Sequence, residues 1–223
     1  HSSRGIMVVR VLEFFLGAYS DGNYLLKARS KLLFFFMSAF FILLVILQGA
    51  MGFVGIEAFL RVLRVTPLFF ISIIVSLIFL KKGRYHASAN VFVFMGAAGL
   101  VAGIISNSFI KPDVVYTTYI YFIFLPVAFC TIFCTPAVLA AVAGILACAD
   151  IAAFFLVRMN TASSYHPALK LALIDTLITY VIFFILAMFT MIIFRRNAVV
   201  ARDKTKKNVR QNVVIRETLR SNS

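Results

Sequence analysis

Residues 171–194, LALIDTLITYVIFFILAMFTMIIF, decide the fold. The stretch runs 24 residues with one charged side chain, Asp175, and stops against Arg195-Arg196. About 20 apolar residues in a helix cross the hydrocarbon core of a bilayer, so this stretch predicts a transmembrane span. Lipid offers no partner to an open peptide group, so a single crossing segment must satisfy its own backbone as a helix.

Working outward from it, the sequence predicts five more spans, at 32–53, 65–80, 87–109, 114–134 and 137–157. The second helix is expected to begin earlier, near Glu57, with Arg61 and Arg64 at the water interface. Between the fourth and fifth, Thr135-Pro136 predicts a tight turn, because proline disfavours helix in the residue before it and suits a first helical turn. Pro67 and Pro126 fall inside predicted spans and are expected to kink or open them. Composition agrees with a membrane class. The chain is 62% hydrophobic and 13% charged, and a soluble surface would have to expose much of that apolar material.

The net charge of +14 raises nucleic acid as a partner, but its placement points elsewhere. With a cytoplasmic N-terminus, 17 of the 22 Lys and Arg fall on the inner side of a six-span layout and five on the outer. That asymmetry follows the positive-inside rule and suits contact with anionic lipid headgroups, with no nucleic acid required. Both termini are therefore expected in the cytoplasm, with the bacterial inner membrane as the setting.

The ends differ from the middle. Residues 1–5 read as a cloning remnant, and 6–31 as a cytoplasmic interfacial helix with its linker. Arg10, Glu13, Gly17 and Ser20 share one helical face, the remainder being apolar; a hydrophobic extension packed on the bundle is the alternative. Residues 32–194 form the membrane domain, and 195–223 a cytoplasmic connector helix. There Phe194, Ala198, Ala201, Thr205, Asn208, Asn212, Ile215 and Leu219 alternate steps of four and three, the a/d spacing of a coiled coil. A second phase passes through Val209 and Val213, and a frayed charged tail competes with both. The connector predicts a homodimer that continues into an output domain beyond Ser223.

Small residues mark two spans. Gly99-Leu100-Val101-Ala102-Gly103 carries a GxxxG pattern, and Ala140, Gly144, Cys148 and Ala152 recur every fourth residue. Such stripes let helices approach closely in lipid, and packing within one bundle is expected for them. The three cysteines, Cys130, Cys134 and Cys148, read as small buried thiols.

Two acids lie within spans, Asp150 and Asp175, and helix geometry sets them at similar depth toward the outer face. An intramembrane carboxylate faces the interior, finds a partner or stays protonated. Asn107, Tyr116, Tyr119, Thr176 and Thr179 are the polar partners on that side, with Arg61 or Arg64 near the rim. Together they predict an outward polar cavity for a small or lipophilic ligand, a purely structural hydrogen-bonded lock being the alternative. No metal-ligand cluster, Walker loop, Gly-x-Ser-x-Gly elbow or mid-span lysine is present, so neither a cofactor nor an enzyme activity is expected of this segment. His86 and His166 read as interfacial residues.

In layout the chain resembles the six-span membrane regions of bacterial signalling proteins: membrane-bound adenylate cyclases, membrane-associated sensor domains, multi-span chemoreceptors and histidine kinases. The resemblance rests on the basic amphipathic start, six closely spaced spans, short loops and Arg195-Arg196 leading into a mixed-charge helix. It implies dimerisation and signalling through the tail. The expectation is thus an all-α integral membrane protein acting as a sensor or anchor, with a small transporter or channel using Asp150 and Asp175 as the alternative.

Overall fold

A computed structural model of the chain describes residues 12–19, 24–56, 60, 63 and 66–221, with backbone alone at 24, 25, 54, 118, 119, 198 and 201–221. Among these residues every regular element is helical, with no strand. The principal helices are α1 (Tyr24–Val54), α2 (Thr66–Lys81), α3 (Tyr85–Ile110), α4 (Phe124–Phe133), α5 (Pro136–Met159) and α6 (His166–Ser221). Among the described residues, four stretches are long and apolar enough to cross a membrane: Leu26–Phe53, Tyr85–Ile110, Pro136–Met159 and Ser163–Asn197. Thr66–Lys81 and Ile120–Phe133 are apolar but shorter.

The helix α1 starts at Tyr24, so Lys27, Arg29 and Lys31 ride on its first turns; residues 20–23 of the expected linker lie outside the described residues. The expected start of the second span near Glu57, and Arg61 and Arg64 with it, lie outside the described residues. The turn at Thr135 forms as expected. Thr135 is the N-cap of α5, its side chain accepting from the Val138 amide at 3.4 Å, with Pro136 in the first turn.

The two prolines divide: Pro67 kinks no span, while the span holding Pro126 is opened, as expected. Pro67 is the second residue of α2 and Pro126 the third of α4, so each occupies a first turn, where its missing N–H removes no bond within that helix. The break at Pro126 lies upstream. There the predicted fourth span is a short 3-10 turn (Pro112–Val114), a π-helical turn (Val115–Tyr119) and a second 3-10 turn (Ile120–Ile123) before α4 begins. Proline at 126 cannot donate to the Phe122 carbonyl four residues back, and its ring crowds that carbonyl. The preceding turns tighten and widen accordingly.

Three residues, Lys82 to Arg84, connect α2 to α3, and the pair packs antiparallel with the most extensive contact among the described elements. Serine hydroxyls hold its register: Ser72 donates to the Phe92 carbonyl at 3.1 Å, and Ser88 to the Ser76 carbonyl at 2.8 Å. Farther along, a Cβ at Gly99 would lie 3.3 Å from the Phe69 ring and 3.6 Å from Leu68. The GxxxG face therefore packs inside the bundle, as expected. The other small stripe does not. Ala140, Gly144, Cys148 and Ala152 are exposed along the outer side of α5, and a Cβ at Gly144 would meet nothing within 4 Å. Its regular spacing is real, but α5 turns Leu139, Val142, Leu146, Ala149 and Ala153 toward the core instead. Cys148 is consequently exposed, while Cys130 and Cys134 are buried.

Phenylalanines build much of the interior. Phe36 of α1, Phe92 of α3 and Phe129 and Phe133 of α4 meet at centroid distances of 4.6 to 6.1 Å. Outward, α1 and α6 expose large apolar side chains such as Phe35, Ile42, Ile46, Ile185 and Phe189. Contiguous apolar exposure on this scale needs an apolar solvent or a partner.

Before α1, residues 12–16 are helical and Gly17–Tyr19 form a 3-10 turn. Leu16 and Tyr19 are buried, the Lys81 ammonium sits 3.7 Å above the Phe14 ring, and Ala18 lies beside Gly83. This part of the N-terminal segment packs on the α2–α3 turn, the alternative raised by its apolar faces; residues 6–11 and Ser20 lie outside the described residues. Gly83 itself has φ +74°, a conformation glycine adopts without strain.

Candidate functional site

Asp150 lies nine residues before the end of α5, and Asp175 nine residues after the start of α6. At 1.5 Å per residue both sit about 13–14 Å from the helix ends that flank the 160–165 connection. They are thus equally far along their helices from that connection, but their surroundings differ. Asp150 is fully buried; Asp175 is exposed at the bundle rim.

Tyr116 joins them. Its hydroxyl lies 2.9 Å from both the Asp150 carboxylate Oδ1 and the Asp150 backbone carbonyl, either of which accepts its proton. The same side chain lines a cavity of about 160 Å³ with Tyr121, Phe124, Ala172, Asp175, Thr176 and Thr179. The π-helical turn is what aims Tyr116 inward, between α5 and α6. Such turns recur at functional positions because they rotate one side chain out of the regular helical register. Irregular backbone at membrane depth is tolerated where protein or a cavity shelters it.

The other expected residues divide. Thr176 lines the cavity, but its hydroxyl donates back to the Ala172 carbonyl at 2.7 Å. Thr179 is exposed at the cavity wall. Asn107 is buried, yet its amide donates to Gly103 in its own helix at 2.7 Å, leaving Oδ1 without a partner among the described residues. It is not part of the cavity lining. The side chain of Tyr119 lies outside the described ones. Asp150 Oδ2 is likewise buried with no hydrogen-bond partner among the described residues.

Two contributors were missed from sequence: Tyr121 and Phe124, which supply the aromatic wall. Nearby, Tyr180 ties α6 to α5 by donating to the Ala143 carbonyl at 3.1 Å, outside the cavity lining. Tyr121 sits two residues from Tyr119, but only the broken helix turns it to the cavity.

The two described histidines keep to helix ends. His166 Nε2 lies 3.0 Å from the Arg158 carbonyl, bridging the 160–165 connection, and His86 is exposed in the first turn of α3. Among the described residues no cluster of three His, Cys, Asp or Glu side chains gathers.

At the far end, α6 continues without interruption from His166 past Asn197 to Ser221. Phe194 is exposed on it, and the remaining seam positions from Ala198 to Leu219 lie where the backbone alone is described. No protein-family model, curated protein or solved structure matches the chain.

Proposed function

We propose that this chain is the six-span membrane sensor domain of a larger bacterial signalling protein, passing a signal from an outward cavity to a cytoplasmic output. One observation carries the reading: α6 holds both the cavity side chains Asp175, Thr176 and Thr179 and the polar stretch 195–221 in one 56-residue helix. At 1.5 Å per residue that rod is about 84 Å long, far more than the roughly 30 Å of a hydrocarbon core. A rotation or shift imposed at the cavity reaches its far end without a hinge. A ligand moves the output only to the extent that it binds the two arrangements differently.

In this reading both termini are cytoplasmic, α2 and α4 cross as short spans beside α3 and α5, and two copies pair through the connector. The α2 helix, about 24 Å long, is near the length needed when the flanking turns approach the interface. Cysteine substitutions from 205 to 215, oxidised in native membranes, test the pairing. Disulfide-linked dimers peaking at positions 205, 208, 212 and 215 are expected; uniform absence of linked dimers, or peaks at 209 and 213, refutes the assigned seam.

A second reading, a small transporter or channel, draws on the broken helix beside two carboxylates, an arrangement found at transporter midplanes. Gradient-driven cation or proton flux into liposomes holding the purified chain, lost in Asp150→Asn, would favour it.

A further inference from the structure

We propose that the cavity beside Asp175 binds a small organic ammonium, of the choline or alkylamine class. This deepens the sensor reading above and rests on it for its signalling consequence, though not for the binding itself. The carboxylate of Asp175 has neither an ion pair nor a hydrogen bond among the described residues, and it lines the open cavity at the bundle rim. A cation entering the cavity would find it available. The wall opposite is aromatic: Tyr116, Tyr121 and Phe124 surround the space, with the hydroxyls of Thr176 and Thr179 along the α6 side.

That lining selects among cations. A hard metal ion wants six or more oxygens, whereas one carboxylate and three rings suit a diffuse positive charge that ring faces attract. A volume of about 160 Å³ admits a headgroup-sized cation and excludes a nucleotide or a peptide. The ammonium would seat against Asp175 and Phe124 and press on Tyr116, whose hydroxyl holds Asp150. Occupancy is thereby felt on both α5 and α6. The cation has two sources, a free amine or a zwitterionic lipid headgroup.

The test uses the full chain in nanodiscs of phosphatidylglycerol alone, titrated with radiolabelled choline in a scintillation proximity assay. Native mass spectrometry of chain from discs doped with phosphatidylcholine reads the lipid source. Saturable choline binding, competed by tetramethylammonium but not by the neutral isostere 3,3-dimethyl-1-butanol, is the result expected for a free amine. Selective retention of phosphatidylcholine is expected if the source is lipid. Asp175→Asn should weaken whichever is seen by at least about tenfold, a buried-pair loss discounted for exposure. Phe124→Leu should weaken it by about three- to thirtyfold, and Asp175→Glu should retain most of it. Binding of neither probe overturns the proposal, as does equal competition by the neutral isostere or full retention in Asp175→Asn. Because the cysteine scan of 205–215 needs no ligand, either idea fails without taking the other with it.

Discussion

Removing one hydroxyl should show what ties the broken helix to the bundle. In Tyr116→Phe the Asp150 carboxylate loses its hydrogen bond at Oδ1, and Oδ2 already has none among the described residues. Both oxygens are then buried without a partner. A buried unsatisfied polar group costs about 1–3 kcal/mol, more when charged, whereas membrane hydrogen bonds measured by double-mutant cycles average about 0.6 and reach about 1.7 kcal/mol. Since the bond spans two elements 34 residues apart and its acceptor is fully enclosed, the upper part of that range applies, about 1.5 kcal/mol. Asp150→Asn should cost less than about 1 kcal/mol, because its amide oxygen still accepts from Tyr116. The pair Tyr116→Phe with Asp150→Leu removes both partners together and should fall close to the wild type. Unfolding in mixed dodecylmaltoside–SDS micelles gives all three values, with Tyr121→Phe, on a side chain 58% exposed, as the control. If Tyr116→Phe unfolds no more readily than Tyr121→Phe, the bridge does not hold these elements together.

Other consequences are simpler. Gly99→Leu drives a side chain into the Phe69 ring and should destabilise by about 1–3 kcal/mol in the same assay, while Gly144→Leu, facing open space, should stay within about 0.5 kcal/mol. Pro126→Ala restores an amide that can reach the Phe122 carbonyl, so hydrogen exchange across 120–130 should slow; unchanged exchange means another cause shapes the break. Burial pushes the Tyr19 phenol above its ordinary value of 10.0, so the folded chain holds that proton more tightly than the unfolded one. Its contribution is complete below pH 10 and declines as pH rises above it. Melting temperature between pH 9 and 11 should therefore fall more steeply for wild type than for Tyr19→Phe.

The helices were legible because apolar run length and flanking charge are local properties. The ends of α3 and α5 fall within two residues of their expected places, and the Thr135-Pro136 cap needed only two adjacent residues to be recognised. Which face of a helix is covered was not legible. The stripes at Gly99 and Gly144 look alike in sequence, and only the placement of Phe69 separates them. The same holds for Asp150 and Asp175, equally far from the connection between their helices yet opposite in burial, because Asp150 falls on the inner face of α5 while α6 stands nearer the periphery. The Asp150–Tyr116 pair was among the candidates. Tyr121 and Phe124 were not, since a regular helix over 114–134 would have pointed them differently from the turns that form. Ser72 and Ser88 set the register of α2 on α3 through their hydroxyls, but nothing local in the sequence sets them apart from the other serines of the spans.

Six spans, or four with two helices that do not cross, assign opposite sides to the connection at Lys82. A single cysteine at position 82, in a chain with Cys130, Cys134 and Cys148 replaced, can be probed in intact cells with a membrane-impermeant maleimide; position 163 serves as the control. The six-span sensor predicts labelling at 163 from outside and at 82 only after permeabilisation. Labelling at 82 in intact cells, together with 163, would mean that α2 and α4 do not cross, and would contradict the architecture on which the cavity, the stalk and their coupling depend.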